Sequence, residues 1–337
     1  MVHHMTRALL IGAGTMLGAQ SALAEPPVLN VLTYDSFGAE WGPGPAIETA
    51  FEAVCGCDLQ FQAAGDGAAL LARLQLEGAN SEADVILGLD TNLTAAAADT
   101  GLFAPHGVTA EVDVPNPASE SGQWDDPLFL PYDWGYFAFV HDAGMGNVPA
   151  DLKALAASDH SVVIQDPRSS TPGLGLVLWV KALYGDEAPE VWEALGDNVV
   201  TVTPGWSEAY GLFLEGEADM VLSYTTSPAY HRIAEEDESK VAAIFPQHYM
   251  QIEVAGVLEG SDQPELARQF LTFLLGEAAQ GVLPTTNWMY PAIMPEGGLP
   301  EGMDAPLPAE AAVILSPQEV QAIRQQAIEE WRAALAR

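Results

Sequence analysis

The sequence predicts an α/β protein built as two like lobes joined by a hinge, with a ligand cleft between them. Three observations predict it. A β-α-β-α-β pattern fills the first third of the chain, the same pattern returns in its middle, and a long aromatic run at 129–140 separates the two. Alternating strands and helices dictate a parallel sheet with helices on its faces.

The first pattern opens at 28–34, a β-rich run that stops at Asp35-Ser36-Phe37 and the turn-rich Trp41-Gly42-Pro43-Gly44-Pro45. A helical segment follows at 46–54. Residues 58–63 then alternate polar and apolar as a strand does, and Gly65-Asp66-Gly67 leads into a second helix carrying Leu70, Leu71, Leu74 and Leu76. The stretch 83–88 is a short apolar run bounded by turn residues, hence a third strand. In the second pattern, strands are expected at 162–164, 199–203 and 219–223, with helices at 173–184 and 206–214. A local echo ties the halves together: Glu82-Ala83-Asp84-Val85-Ile86-Leu87 matches Glu217-Ala218-Asp219-Met220-Val221-Leu222, each just after a helix.

The run at 129–140 is long enough to leave one sheet and enter another, and 249–257 offers the return crossing. Two crossovers between two lobes make a hinge, which suits capture of a ligand by closure. On this reading the first lobe is 25–131 plus 250–290, and the second is 132–249 plus 291–337. The chain ends in a helix at 317–337, with Ser316 and Glu319 as its capping box and Pro317 at the first helical position. The Pro- and Gly-rich stretch 291–308 is a surface connection.

The N-terminus reads as a secretory signal over residues 1–24: Arg7, an apolar run at 8–17, and Ala22-Leu23-Ala24 before Glu25. The apolar run is about half of the roughly 20 residues that a spanning helix needs. With no Cys at the cleavage point to carry a lipid, the mature chain is expected free in the periplasm, without direct membrane insertion. The formal charge of -36, from 47 acidic against 11 basic residues in 337, excludes nucleic acid and anionic membrane surfaces as partners. The acids are spread along the chain, which suits either solubility or a field that attracts a cation. Cys55 and Cys57, separated by Gly56, form a tight pair best read as a structural clip in an oxidising compartment. The histidines are scattered and neither HExxH nor a Cys/His cluster occurs, so no metal site is expected. No GxxxxGK[ST] loop occurs, so the chain carries no ATPase of its own.

In open α/β sheets, ligands gather at the carboxyl ends of strands. That rule selects Tyr34-Asp35-Ser36, Asp66-Gly67, Gly88-Leu89-Asp90, Ser169-Ser170-Thr171, Gly205-Trp206 and Tyr224-Thr225-Thr226-Ser227. The set is aromatic, acidic and hydroxyl-rich. Aromatic faces attract flat or cationic rings at roughly 0.5 to 2 kcal/mol per contact, although each ring also suits a core. At Asp166-Pro167-Arg168-Ser169-Ser170-Thr171-Pro172-Gly173 a strand exit meets a helix N-terminus, with Ser170 or Thr171 to cap it. Such an end serves either as an ordinary cap or as a phosphate site.

At these residues, and through nearly the whole mature chain, the sequence resembles the periplasmic thiamine-binding proteins of bacterial importers, a branch of the two-lobed solute-binding superfamily. The resemblance runs through Thr33-Tyr34-Asp35-Ser36-Phe37, Gln165-Asp166-Pro167-Arg168, Gly205-Trp206-Ser207-Glu208-Ala209-Tyr210-Gly211, Leu222-Ser223-Tyr224-Thr225-Thr226-Ser227-Pro228-Ala229-Tyr230 and Asn287-Trp288-Met289-Tyr290-Pro291, and the close CxC pair is shared. Asp133-Trp134 stands where Asp-Tyr is usual. It implies a type II periplasmic-binding-protein-like α/β fold and a non-catalytic receptor that needs no cofactor. By resemblance, Tyr34 and Tyr230 wall the thiamine rings, Asp66 and Gly67 meet the pyrimidine, and Ser170 and Thr171 meet the hydroxyethyl or phosphate tail with Trp206 beside it. Tyr224, Thr225, Thr226 and Ser227 contact the ligand, and Trp288 lines the pocket. The implied partners are thiamine or its phosphates and the permease and ATPase subunits of an ABC importer. Alternatives are a receptor for another cationic amine such as a polyamine, a ferric-ion receptor, which would need neighbouring tyrosines, and a thiaminase-like enzyme with a Cys nucleophile.

Overall fold

A computed structural model describes residues 26–119 and 122–336. The secretory-signal reading lies outside the described residues. The first lobe opens with β1 (Val28–Thr33), a single turn α1 (Asp35–Gly38), α2 (Gly44–Cys55), β2 (Asp58–Ala63), α3 (Gly67–Glu77) and β3 (Val85–Asp90). After α4 (Thr94–Ala98) and β4 (Phe103–Ala104) comes the long β5 (Leu130–Asp142). The second half holds α5 (Leu152–Ala156), β6 (Val162–Gln165), α6 (Thr171–Tyr184), α7 (Ala188–Leu195), β7 (Val199–Thr203), α8 (Trp206–Leu214), β8 (Met220–Tyr224), α9 (Ser227–Ala234) and β9 (Lys240–Ala242). The chain returns along β10 (His248–Leu258). It finishes through α10 (Pro264–Leu274), α11 (Glu277–Gln280), α12 (Leu283–Thr286), β11 (Tyr290–Pro291), β12 (Ala312–Val313) and α13 (Pro317–Leu335).

The strand order is β2-β1-β3-β10-β5-β8-β6-β7. Its two ends mirror one another: β2, β1 and β3 are parallel, as are β8, β6 and β7, and each trio is flanked by one antiparallel strand, β10 or β5. β5 is the crossing expected from the aromatic run. Residues 130–136 pair with β10, then Phe137 to His141 pair with β8, so the strand changes partners between Tyr136 and Phe137. β10 is buried at all eleven positions, as a strand covered on both faces must be.

The echoed hexapeptides occupy equivalent places. Asp84 Oδ2 accepts from Asn30 N–H at 2.8 Å, tying β3 to β1; Asp219 Oδ2 accepts from Ser161 N–H at 2.8 Å, tying β8 to β6. One acidic residue at a strand's start thus secures the same neighbour in each half.

The helices cover this sheet with apolar faces. On α2, Ile47 and Phe51 are fully buried, and the Phe51 ring meets Phe270 and Phe273 of α10 at 5.1 and 5.2 Å. Burying a side chain of this size contributes about 1.5–3 kcal/mol. On α3 the expected apolar stripe is narrower than the sequence suggested: Leu70, Leu71 and Leu74 are buried, but Leu76 is 89 % exposed because its position points away from the sheet. α13 begins with the expected Ser316–Glu319 capping box. It packs on α6 and α7, and Lys181 of α6 pairs with Glu330 at 2.8 Å, but it also reaches α4, where Gln321 donates to Asp99 at 2.5 Å.

Cys55 ends α2, and Gly56 (φ 65°) takes the left-handed conformation that turns the chain back towards β2. Cys55 and Cys57 are joined as a disulfide. Both of the chain's cysteines are thereby consumed.

Candidate ligand-binding site

Carboxyl ends of strands from both halves converge on one cleft of about 560 Å³, within the ~300–1,000 Å³ typical of small-molecule sites. Tyr34 follows β1, Asp66 follows β2, Thr171 follows β6, Trp206 follows β7, and Tyr224 ends β8. Ser227 and Tyr230 come from α9, and Trp288 from the turn after α12. Parallel strands place their carboxyl ends on one edge, so two such sheets facing each other bring these turns together.

One end of the cleft is a clasp between the halves. Asp66 Oδ2 accepts from Ser170 Oγ–H at 2.7 Å and from the Trp206 backbone N–H at 3.2 Å, Gly67 N–H donates to Thr171 Oγ1 at 3.1 Å, and Ala69 N–H donates to the Ser169 carbonyl at 3.1 Å. The resemblance assigned Asp66 to the pyrimidine and Ser170 to the tail, and the structure places these two side chains in contact at one end of the cleft. Ser170 does stand at the N-cap of α6, but its hydroxyl goes to Asp66 and makes no cap bond. The ordinary-cap reading therefore fails for Ser170.

The walls are aromatic. Trp206 stacks on Tyr210 with ring centroids 5.1 Å apart and is fixed by its Nε1–H donating to Ser223 Oγ at 2.8 Å. Trp41 lies against Trp206 at 6.4 Å, and Tyr230 meets Trp288 edge-on at 5.4 Å. Trp288 holds φ 58°, an uncommon value for a bulky side chain, and this turn presents its ring to the cleft.

The floor is formed by residues that sequence reasoning did not select. Glu253, in the middle of β10, accepts from Tyr34 Oη–H at 2.8 Å and Tyr132 Oη–H at 2.7 Å on Oε2, and from Gln251 Nε2–H at 2.8 Å on Oε1. Asn287 donates from Nδ2 to Asp133 Oδ2 at 2.6 Å and to Tyr34 Oη at 2.8 Å. Burial pushes both Asp133 and Glu253 upward in pKa. For Asp133 burial is the largest cause and the charge of Glu253 adds to it, whereas for Glu253 the donors that converge on it oppose the rise. Asp133 and Glu253 stand directly opposite one another in the β5–β10 ladder, so the two carboxyls share one buried site. Burial, followed by the charge of Glu253, keeps the Tyr34 and Tyr132 phenols well above their ordinary range, so both are donors.

Not every expected residue reaches the cleft. Gly67 and Ser170 form the clasp, and Thr225 and Thr226 are buried behind the wall without lining it. β8 ends at Tyr224, and these two threonines follow in the turn before α9 with their hydroxyls buried. Conversely Trp41, Tyr210, Glu253 and Asn287 line the cleft. Trp41 had a signal in its Gly-Pro-rich turn, whereas Tyr210 lies inside α8, Glu253 inside β10 and Asn287 in the turn that follows α12.

Beside the wall, His231, Glu235 and Asp237 have the composition of a metal-ligand group. Both ring nitrogens of His231 are already engaged, Nδ1 with Glu235 Oε2 at 2.6 Å and Nε2 with Tyr210 Oη at 2.9 Å. They brace Tyr210, and through it Trp206.

Burial at the clasp raises Asp66 to about 6, with the charges of Asp35 and Glu208 adding to the effect against the opposing bonds from Ser170 and Trp206. A raised carboxyl binds more protons in the closed state than when solvated, so its ionisation opposes closure above about pH 6, and this cost is relieved as pH falls towards 3.8. Its ceiling is on the order of 3 kcal/mol. Small-angle scattering of the ligand-free protein is expected to show a larger closed fraction at pH 5 than at pH 7.5, with the difference lost in Asp66→Asn. A pH-independent profile in the wild type excludes Asp66 as the closure charge.

Residues 41–281 match the family model of the bacterial extracellular solute-binding proteins. The thiamine-binding periplasmic protein of Escherichia coli (strain K12) is 52 % identical over 316 residues, covering 92 % of this chain and 94 % of that protein. A solved periplasmic thiamin binding protein superposes with TM-score 0.86 at 49 % identity, over 97 % of this chain and 100 % of that one. Iron-bound HitA from Pseudomonas aeruginosa shares the two-lobed fold alone, with TM-score 0.75 at 21 % identity over 92 % of this chain and 99 % of that one. With two mirrored sheet halves, a clasped aromatic cleft and identity of this extent along the whole fold, the chain belongs to the thiamine-binding periplasmic proteins within the bacterial extracellular solute-binding family.

Proposed function

We propose that this protein is the periplasmic receptor that captures thiamine between its lobes and delivers it to the permease and ATPase subunits of an ABC importer. The observation that carries the reading is the cleft itself: an aromatic-walled slot with Asp66 and Glu253 facing it and no basic residue in its lining. A flat cationic heterocycle gains ring contacts from those walls and charge compensation from those acids. In this reading the lobes are 25–131 with 250–290 and 132–249 with 291–337, and β5 and β10 form the hinge. The hydroxyethyl or phosphate tail points to the N-terminus of α6, where Asp66 is able to take up a proton when the tail is anionic.

The thiaminase-like alternative lacks a nucleophile, since Cys55 and Cys57 form the disulfide and no other cysteine exists in the chain. The ferric alternative is opposed by Tyr34 and Tyr132 donating to one carboxylate oxygen, which keeps them protonated and unsuited to an anionic metal ligand. A polyamine fits the charge but leaves the flat ring faces of Trp206 and Tyr230 without a matching surface.

Calorimetric titration of the refolded mature protein with thiamine is expected to give one-to-one binding with quenched tryptophan fluorescence. Trp206→Ala is expected to weaken it about 10- to 100-fold, since one ring face at ~1–2 kcal/mol and the Tyr210 position it braces are lost together. Competition by spermidine with no response to thiamine shifts the assignment to a polyamine.

A further inference from the structure

We propose that Asn287 is the residue that selects the ligand's amino-bearing ring, and that the buried Asp133–Glu253 pair is the positioning device that turns its carbonyl towards the ligand. The proposal rests on the thiamine reading above.

The available hydrogens fix the orientation of the amide. Asn287 has two on Nδ2, and Asp133 Oδ2 and the Tyr34 oxygen take them at 2.6 and 2.8 Å. Tyr34 has one, which goes to Glu253 at 2.8 Å, so it has none for Asn287 Oδ1 although that atom lies 3.1 Å away. Asp133 Oδ1 is fully buried and receives no donor from the described residues. An ionised carboxylate oxygen left so would be costly, but a protonated one aimed at Glu253 is satisfied. With that proton in place, Oδ2 is the acceptor side of Asp133, and the amide nitrogen of Asn287 must face it. Its carbonyl is consequently the free end, on a half-buried residue that lines the cleft. A free acceptor on a half-buried residue of the cleft favours a ligand with an N–H donor and penalises one that brings a carbonyl instead. In thiamine that donor is the pyrimidine amino group.

The test compares thiamine with oxythiamine, which carries an oxo group in place of that amino group, by calorimetric titration. The wild type is expected to prefer thiamine by about 10- to 100-fold, the range set by leaving a buried acceptor unpaired. Asn287→Ala is expected to bring the ratio to within about 3-fold of unity, by removing the acceptor that discriminates. Asp133→Leu, which lets the amide turn, is expected to lower the ratio as well, and Asp133→Asn, the neutral isostere of the protonated acid, to restore it. Equal wild-type affinities overturn the proposal without need of any variant. So does a wild-type ratio retained in folded Asn287→Ala, which leaves the receptor assignment standing. Absence of thiamine binding by folded wild type is the separate result that removes the assignment itself, and the proposal with it.

Discussion

Replacing Gly88 with alanine is expected to destabilise the protein by roughly 3–5 kcal/mol and to reduce thiamine affinity by at least about 100-fold, combining overpacking with backbone strain. Gly88 lies within β3 at φ 107°, a conformation that L side chains rarely adopt, and an added Cβ falls 2.1 Å from Cδ1 of Tyr34. The strand itself cannot yield, because all six of its residues are buried between β1 and β10. The tyrosine ring must move instead, and its hydroxyl then leaves Glu253 and Asn287. Thermal unfolding and titration measure the two effects separately. Gly260→Ala, whose Cβ meets nothing within 4 Å, is the control for a glycine on open surface. A Gly88→Ala protein as stable as that control contradicts the close packing of Tyr34 on β3.

Glu253→Gln is expected to cost about 3–5 kcal/mol, the range for breaking a buried charged network from one side. The change is isosteric, so packing is preserved and the effect is one of donors and acceptors. Glu253 receives hydrogens from Tyr34, Tyr132 and Gln251, with Asp133 directly opposite it on β5. An amide has only one oxygen, and its NH₂ meets donors on the other side, so at least one phenol or amide is left facing a hydrogen. Asp133→Asn changes the same number of atoms but replaces one donor-plus-acceptor group with another, and should be the milder of the two. Equilibrium unfolding in urea decides: if Glu253→Gln lies within about 1 kcal/mol of wild type, Glu253 is not the charged member of the pair.

The connection between the two experiments is Tyr34. Its ring rests on Gly88 and its hydroxyl reaches Glu253, so stability of the first lobe and presentation of the cleft floor depend on one side chain. Phe37 meets the same ring edge-on at 5.6 Å and Tyr132 at 6.1 Å, extending the contact into the core. A receptor that must close on its ligand gains from such sharing, because the floor cannot drift while the lobes move.

The fold was legible because its determinants are local. The alternation at 58–63, the apolar run at 83–88, the capping box of Ser316 and Glu319 and the length of the run at 129–140 each lie within a few residues of one another, and β2, β3, α13 and β5 follow from them. The carboxyl-end rule then found Tyr34, Asp66, Thr171, Trp206 and Tyr224, since a parallel strand's exit is fixed by its direction alone. The same rule marks the turn that holds Thr225 and Thr226 but not which way each side chain within it points.

What sequence alone determined is thus the alternation of elements, the two mirrored halves and the turns that supply most of the cleft. Only the tertiary structure decided that Asp66 meets Ser170 across 104 residues, and that Tyr34 meets Glu253 across 219. Glu253 is one acid inside an otherwise buried strand, and Asp133 one acid inside an aromatic crossing; periodicity records the face of each side chain but not its distant partner. Their pairing, and the contacts that Asn287 makes with Asp133 and Tyr34, arise where β5 and β10 lie side by side. Burial there makes every donor and acceptor costly to leave unpaired, so the hydrogen-bond pattern is set by the assembled fold.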